Sequence, residues 1–212
     1  MKTTTAETTV EAHERTTKVM AAFLGYAKIK VINPDIELKF GEFNPREINK
    51  TELTKLRGSF ESKGIQWWSI DNAMPLIIPK RSLIDPSTVT MDVAVGMRLP
   101  TLALSGEGQE AVKKFDMASG QHRVKVVRDV HIDHMMNVSA MRDAKEKIEK
   151  LKQNHERSME IERLSREIES EETFIEGLGY WCVRIFDRGT HIFHCHIVPI
   201  IFVLTTSNLQ RI

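Results

Sequence analysis

Residues Phe115–Asp129, FDMASGQHRVKVVRD, decide how the chain is read. Phe115 to Ala118 has strand character, and Ser119-Gly120 breaks it. Gln121-His122-Arg123 then opens a stretch in which Val124, Val127 and Arg128 recur at helical spacing, which predicts a helix from Gln121 to about His131. Valines form helices poorly, so packing has to hold this one. A strand, a glycine turn and a helix start put several free backbone amides at one point, and the helix dipole adds partial positive charge there. Such a corner favours an anion. Gly120 lets the backbone approach closely, Arg123 offers a planar fork for phosphate or carboxylate oxygens, and His122 and Ser119 supply further hydrogen bonds. The ordinary alternative is a plain strand-glycine-helix turn with Arg123 as surface charge.

Upstream, Lys28–Phe40 (KIKVINPDIELKF) contains two alternating runs around Asn33-Pro34-Asp35, the pattern of two strands joined tightly. Asn49 or Thr51 can cap a following helix with Leu53, Leu56 and Phe60 on one face, and Gly64 can end it. The tetrapeptide Asn44-Pro45-Arg46-Glu47 precedes that helix. Leu76–Ile78 makes a short buried strand, which Pro75 and Pro79 restrict to an edge or a strand end. Asp85–Gln109 mixes turn residues with short β-prone pieces and reads as loops with one or two strands, and Glu110–Lys114 as a helix end.

Downstream, Met141–Glu172 changes to dense Lys, Arg and Glu with sparse apolar positions, Ile148, Leu151, Ile161, Leu164 and Ile168. That is one long helix or a helical pair. Three-and-four spacing fails between Leu151 and Ile161, which favours a solvated helix with one narrow packed edge over a sustained coiled coil. Gly177 and Gly179 stop it, and the remainder is β-rich with Asp187-Arg188-Gly189 as a hairpin turn.

The whole chain has 212 residues, 41% of them hydrophobic, and a formal net charge of +1, so it has an ordinary core and no global field to attract nucleic acid or an acidic membrane. Its first residues are Thr-rich with interspersed Glu, read as a loose tail without the apolar core of a secretory signal. Cys182 and Cys195 are the only cysteines, which suits a reducing compartment, cytoplasmic or nuclear. The most apolar stretch, His191–Leu204, is too short for a membrane span and carries three histidines and a proline. The expected organisation is a tail over 1–27, an α+β domain over 28–134, a charged helical segment over 135–176 and a β-rich segment over 177–212.

The order of Asn44-Pro45-Arg46-Glu47 before a helix, an apolar strand at Pro75–Pro79 and a late strand followed by Ser119-Gly120-Gln121-His122-Arg123 resembles the ParB/sulfiredoxin-like superfamily, in particular its partition-protein-like members of eukaryotic type. The resemblance spans about Ile36 to about Asp129. It implies a small mixed sheet with flanking helices and a Gly-x-x-Arg box binding nucleotide phosphates, matched by Gly120 to Arg123, with Asn44, Pro45 and Arg46 as the counterpart of the first box. A nucleoside di- or triphosphate with Mg2+ is the implied ligand. Sulfiredoxins carry a catalytic cysteine where this chain has Gln121, which sets aside sulfinic acid repair. Many nucleotide hydrolases and kinases of the family carry Glu there. Gln121 can neither support a metal by charge nor take a proton, so binding survives the change more easily than catalysis. His122 is the one catalytic candidate, with a purely hydrogen-bonding role as the alternative. The chain ends just after an apolar stretch, which fits a shortened version of a longer family member.

His191, His194, Cys195 and His196 form the most metal-like grouping. The His-Cys-His-Ile core resembles the last copper motif of multicopper oxidases, but Ile200 replaces the further histidine and no other His-x-His pair completes a copper cluster. On a strand His194 and His196 share one face and Cys195 the other, so these histidines are weak ligand candidates. His131 and His134 stay unassigned, and Asp116, on the strand face opposite Phe115 and Met117, is expected to face solvent, with its role open. Partition proteins also bind DNA through a helix-turn-helix domain, and the balanced charge of Met141–Glu172 does not fit one. Three functions are weighed: a phosphate- or nucleotide-binding protein with weak phosphotransferase or phosphohydrolase activity, a catalytically silent module engaging a protein partner through Met141–Glu172, and a His-rich metal binder.

Overall fold

The computed structural model describes residues 9–41, 47–83, 85–92, 98–103, 113–152 and 154–189. Among them are four α-helices and a five-stranded mixed sheet, an α+β protein. No helix among them is long and apolar enough to cross a membrane. The chain divides into two units, one of Met1–Ile48, Gln66–Gln121 and Trp181–Ile212 and the other of Asn49–Ile65 and His122–Tyr180.

The first unit holds helix α1 (Thr9–Ala22), strands β1 (Phe23–Lys30), β2 (Ile36–Phe40), β3 (Met74–Ile78) and β4 (Lys113–Met117), and all but the first residue of β5 (Tyr180–Asp187). Their order in the sheet is β1-β5-β3-β4-β2. β3 runs parallel to β5 and antiparallel to β4, and β2 runs parallel to β4. One face is apolar throughout. Met74 and Leu76 of β3, Trp181, Val183 and Ile185 of β5, and Phe115 and Met117 of β4 are all buried on it.

β1 and β2 are not the paired hairpin that Asn33-Pro34-Asp35 suggests, because they lie at opposite ends of the strand order. Two successive turns join them, Asn33 N–H to the Lys30 carbonyl and Ile36 N–H to the Asn33 carbonyl, both 3.1 Å. Two such turns reach at most about 14 Å, whereas four flat strand spacings come to about 19 Å. The sheet is therefore curled, bringing its first and last strands towards each other. The outer side of β1 is covered by short loop contacts, with Tyr26 exchanging main-chain bonds of 2.8 and 2.9 Å with Thr90 and Lys28 bonding Pro100 and Leu102.

Pro75 sits in the middle strand of the sheet, so of its two expected places it takes the strand end and not the sheet edge. Its missing N–H is tolerated because it falls at the second position of β3, before the β3–β4 ladder starts at Leu76. Its carbonyl still accepts from Ala118 N–H at 3.0 Å. The loose tail expected over 1–27 is corrected within the described residues. Thr9–Ala22 is helical, anchored where Val19 and Ala22 are buried and where the chain runs directly into β1. Thr16 and Thr17 are weak helix formers, and packing outweighs them.

The second unit holds α2 (Lys50–Lys63), most of α3 (Gln121–Glu149) and α4 (His155–Leu178). Asn49, not Thr51, caps α2, its side chain accepting from Thr51 and Glu52 N–H at 2.9 and 3.4 Å, and Gly64 ends it at φ 76° with its N–H on the Phe60 carbonyl. The charged region is the helical pair: α3 runs far past His131, and α4 restarts behind an Asn154 cap. The failed spacing after Leu151 is this break. α3 and α4 fold back on one another as a helical hairpin, tied by His134 to Glu171 at 2.5 Å and by Arg142 to Glu172. The expected boundaries at 27/28, 134/135 and 176/177 fall inside β1, α3 and α4, and β5 from the expected C-terminal segment is an inner strand of the one sheet.

Candidate functional site

The Ser119–Arg123 corner has the anticipated local form: β4 ends at Met117, Gly120 turns at φ 103°, and α3 starts at Gln121. All five residues are partly exposed. Gly120 has a packing reason to be glycine as well as a conformational one. A Cβ there would stand 2.2 Å from Met74 Sδ and 2.7 Å from its Cγ, and Met74 is fully buried.

The helix starts of this protein differ in how their donors are used. At α2 the Asn49 side chain takes the Thr51 and Glu52 N–H groups, and the Asn49 N–H itself donates to His122 Nε2 at 2.9 Å. At α4 the Asn154 side chain takes the Arg157 N–H at 2.9 Å. At α3 the residue before the helix is Gly120, with no side chain to cap it. Among the described residues no protein group accepts from the main-chain N–H of Gly120, Gln121 or His122. The Ser119 hydroxyl, beside them in the chain, is buried with no hydrogen-bond partner among the described residues.

His122 is held by a hydrogen bond from the start of α2. Its Nε2 accepts a hydrogen bond from the Asn49 N–H, so the neutral ring carries its own proton on Nδ1, and the lone pair that a general base would use at Nε2 is occupied. The same bond joins the starts of α2 and α3, while Arg57 of α2 reaches Asp133 of α3 at 2.7 Å farther along both. The two helices therefore run in the same direction, and their positive poles lie at one end. Asn44, Pro45 and Arg46 lie outside the described residues, three positions or fewer ahead of Glu47–Asn49.

The histidine cluster of His191, His194 and His196, with Cys195, also lies outside the described residues, as does the second strand expected after Asp187–Gly189. Among the described residues no group of three or more His, Cys, Asp or Glu is placed to hold a metal. His134 is a hairpin tie, its Nδ1 on Glu171 and its ring 4.6 Å from that of Phe174. Cys182 is fully buried beside Ala73 and Leu99, and burial pushes its thiol up to about 12, leaving it protonated and unreactive at neutral pH.

The sequence alone does not reveal one recess. A cleft of about 540 Å3 is lined by Glu37, Lys39, Phe40, Lys114, Asp116 and Arg188. Its signal was the alternation of charge along β2 and β4, where Glu37 pairs in register with Lys114 and Lys39 with Asp116, putting all four on one sheet face. The face balances itself. Asp116 does not look freely into solvent: it bonds Arg188 at 2.7 Å, and Lys114 lies 4.0 Å from Glu37.

Comparison with family models, curated proteins and solved structures gives no match.

Proposed function

We propose that this protein binds a phosphorylated ligand, a nucleoside di- or triphosphate with Mg2+, at the Ser119–Arg123 corner. The supporting observation is the contrast between helix starts. The Asn49 side chain takes two donors of α2 and the Asn154 side chain one of α4, whereas α3 has Gly120 in place of a capping side chain, and the main-chain N–H groups of Gly120, Gln121 and His122 have no protein acceptor among the described residues. Those donors at the positive end of a long helix match an oxyanion, Arg123 stands on its first turn, and the buried Ser119 hydroxyl has an unmade hydrogen bond beside them. The resemblance of Gly120–Arg123 to the phosphate box of the ParB/sulfiredoxin-like superfamily points the same way, and in that reading Arg46 would bring a second guanidinium. Weak phosphotransferase or phosphohydrolase activity would need a base other than Gln121 or His122 Nε2, since the first is neutral and the second is occupied. Binding requires neither.

The test is a melting-temperature panel with ATP, ADP and CTP, each with Mg2+, on the wild type and on Arg123→Ala. A ligand at ten times its Kd stabilises by about 1.4 kcal/mol, which for a chain of this size raises Tm by about 3–6 °C. The rise is expected in the wild type and lost in Arg123→Ala. No shift with any of the three at millimolar concentration would reject nucleotide binding and leave the second reading, a catalytically silent interaction module, which Gln121 favours.

A further inference from the structure

The exposed apolar side chains of α3 do not scatter. Ile132, Met135 and Met136 are 53%, 48% and 60% exposed and lie on one side of the helix. At about 100° per residue they share a stripe roughly 100° wide, while Val127, Val130 and Val138 are buried away from it. Along the same stripe the exposed charges change sign from one end to the other. Lys125 and Arg128 precede the apolar patch, and Asp143 and Glu146 follow it.

That order is self-complementary. We infer that this stripe is a self-association surface on which α3 of a second copy of this chain docks antiparallel, about a two-fold axis between Met135 and Met136. Such an interface is isologous, so every contact occurs twice. With the axis there, Arg128 falls opposite the partner's Asp143 and Lys125 opposite the partner's Glu146. Ile132 meets the partner's Ser139 and packs against the two methionines beside it. A parallel arrangement would instead set Arg128 against the partner's Arg128 and Asp143 against the partner's Asp143, and is disfavoured. Lys125, Glu146 and Arg128 also have interactions within their own chain, Lys125 with Asp129 at 2.5 Å and Glu146 with Lys150 at 2.6 Å, and Lys125 and Glu146 stand at the outer ends of the stripe. Arg128 and Asp143 flank the apolar patch more closely, so theirs is the contact to reverse. Three apolar side chains per copy make a small patch, below the area of about 1,200 Å2 that standard interfaces exceed. The dimer is therefore weak and concentration-dependent.

Sedimentation velocity of the full chain from about 10 µM to about 1 mM reads it directly. The wild type is expected to pass from monomer to dimer within that range. Arg128→Glu alone sets acid against acid, Asp143→Arg alone sets base against base, and each is expected to raise the dissociation constant at least about ten-fold. An equimolar mixture of the two variants restores opposite-charge contacts in the heterodimer and is expected to return within about three-fold of the wild type, as is the doubly reversed chain. All these positions are exposed, and unchanged circular dichroism checks that the variants fold. A wild type that stays monomeric at 1 mM, variants that dimerise like the wild type, or a mixture no better than its components would each overturn the inference.

Discussion

Gly120→Ala tests the corner at its tightest point. Two costs add. Alanine at φ 103° is strained, and left-handed backbone costs an L-residue about 1–2 kcal/mol. Its Cβ also lands 2.2 Å from Met74 Sδ, so the buried thioether has to move, at the about 1–3 kcal/mol typical of overpacking. Against this, alanine lowers the entropy of the unfolded chain, worth about 0.4–1 kcal/mol. The net loss is roughly 2–4 kcal/mol, measured as the change in unfolding free energy by equilibrium urea denaturation. Met74→Ala separates the two costs. Alone it deletes a fully buried side chain and destabilises by about 2–5 kcal/mol. In the double variant the methyl introduced at position 120 enters space that Met74 Sδ and Cγ have left, so the severe overlap vanishes and what remains is the backbone strain with a snug 3.3 Å approach to the Cβ at position 74. The double variant is expected to be more stable than the sum of the singles by about 1–3 kcal/mol. Strict additivity would refute the contact between Met74 and Gly120, and with it the packing account of why glycine stands there.

Two further outcomes follow from the contacts of His122 and Cys182. The neutral His122 ring is expected to show the Nδ1–H tautomer by 15N NMR, and His122→Ala, which returns an exposed N–H to water, to cost about 0.5–1.5 kcal/mol; the opposite tautomer would remove the bond to Asn49. Cys182 has a folded pKa raised by burial to about 12 from 9.0, so its contribution is complete below pH 9 and is lost as pH climbs through the alkaline window towards 12. The stability advantage of the wild type over Cys182→Ala is therefore expected to shrink by about 1 kcal/mol per pH unit above 9, read by denaturation at pH 8, 9 and 10.5, and a constant advantage would contradict it.

What could be read from the sequence was local, and what could not was long-range. Asn49 and Gly64 bound α2 because cap chemistry is written in adjacent residues, and the strand-glycine-helix form of Phe115–Arg123 was legible for the same reason. The separation of β1 from β2 was hidden because their pairing is decided by β5 and β3, and β5 begins at Tyr180. Pro75 left sheet edge and strand end equally open for a related reason: a proline forbids one ladder bond, and only the register with Met117 shows that the bond falls outside the ladder. The engagement of His122 by Asn49 could not be seen either, since it depends on two helix starts distant in the chain. The charge alternation of β2 and β4 was visible, but its consequence required knowing that those strands are neighbours in parallel register.

One helix carries both the corner and the self-association stripe, and its length makes them separable. Asp143 lies twenty positions beyond Arg123, about 30 Å along the helix axis at about 1.5 Å per residue. That is roughly four Debye lengths at physiological salt, so reversing Asp143 leaves the field at the corner essentially unchanged. Arg128 is much closer to the corner and does not offer this separation. In an antiparallel pair centred between Met135 and Met136, the two corners sit at opposite ends of the paired helices, about 44 Å apart, too far for one ligand to touch both. Asp143→Arg is therefore expected to weaken the dimer at least about ten-fold while leaving the nucleotide-dependent rise in Tm intact, and Arg123→Ala to do the reverse. If Asp143→Arg instead removed the ligand shift, the corner would depend on the dimer, and the two-fold arrangement drawn from the charge order of α3 would be wrong.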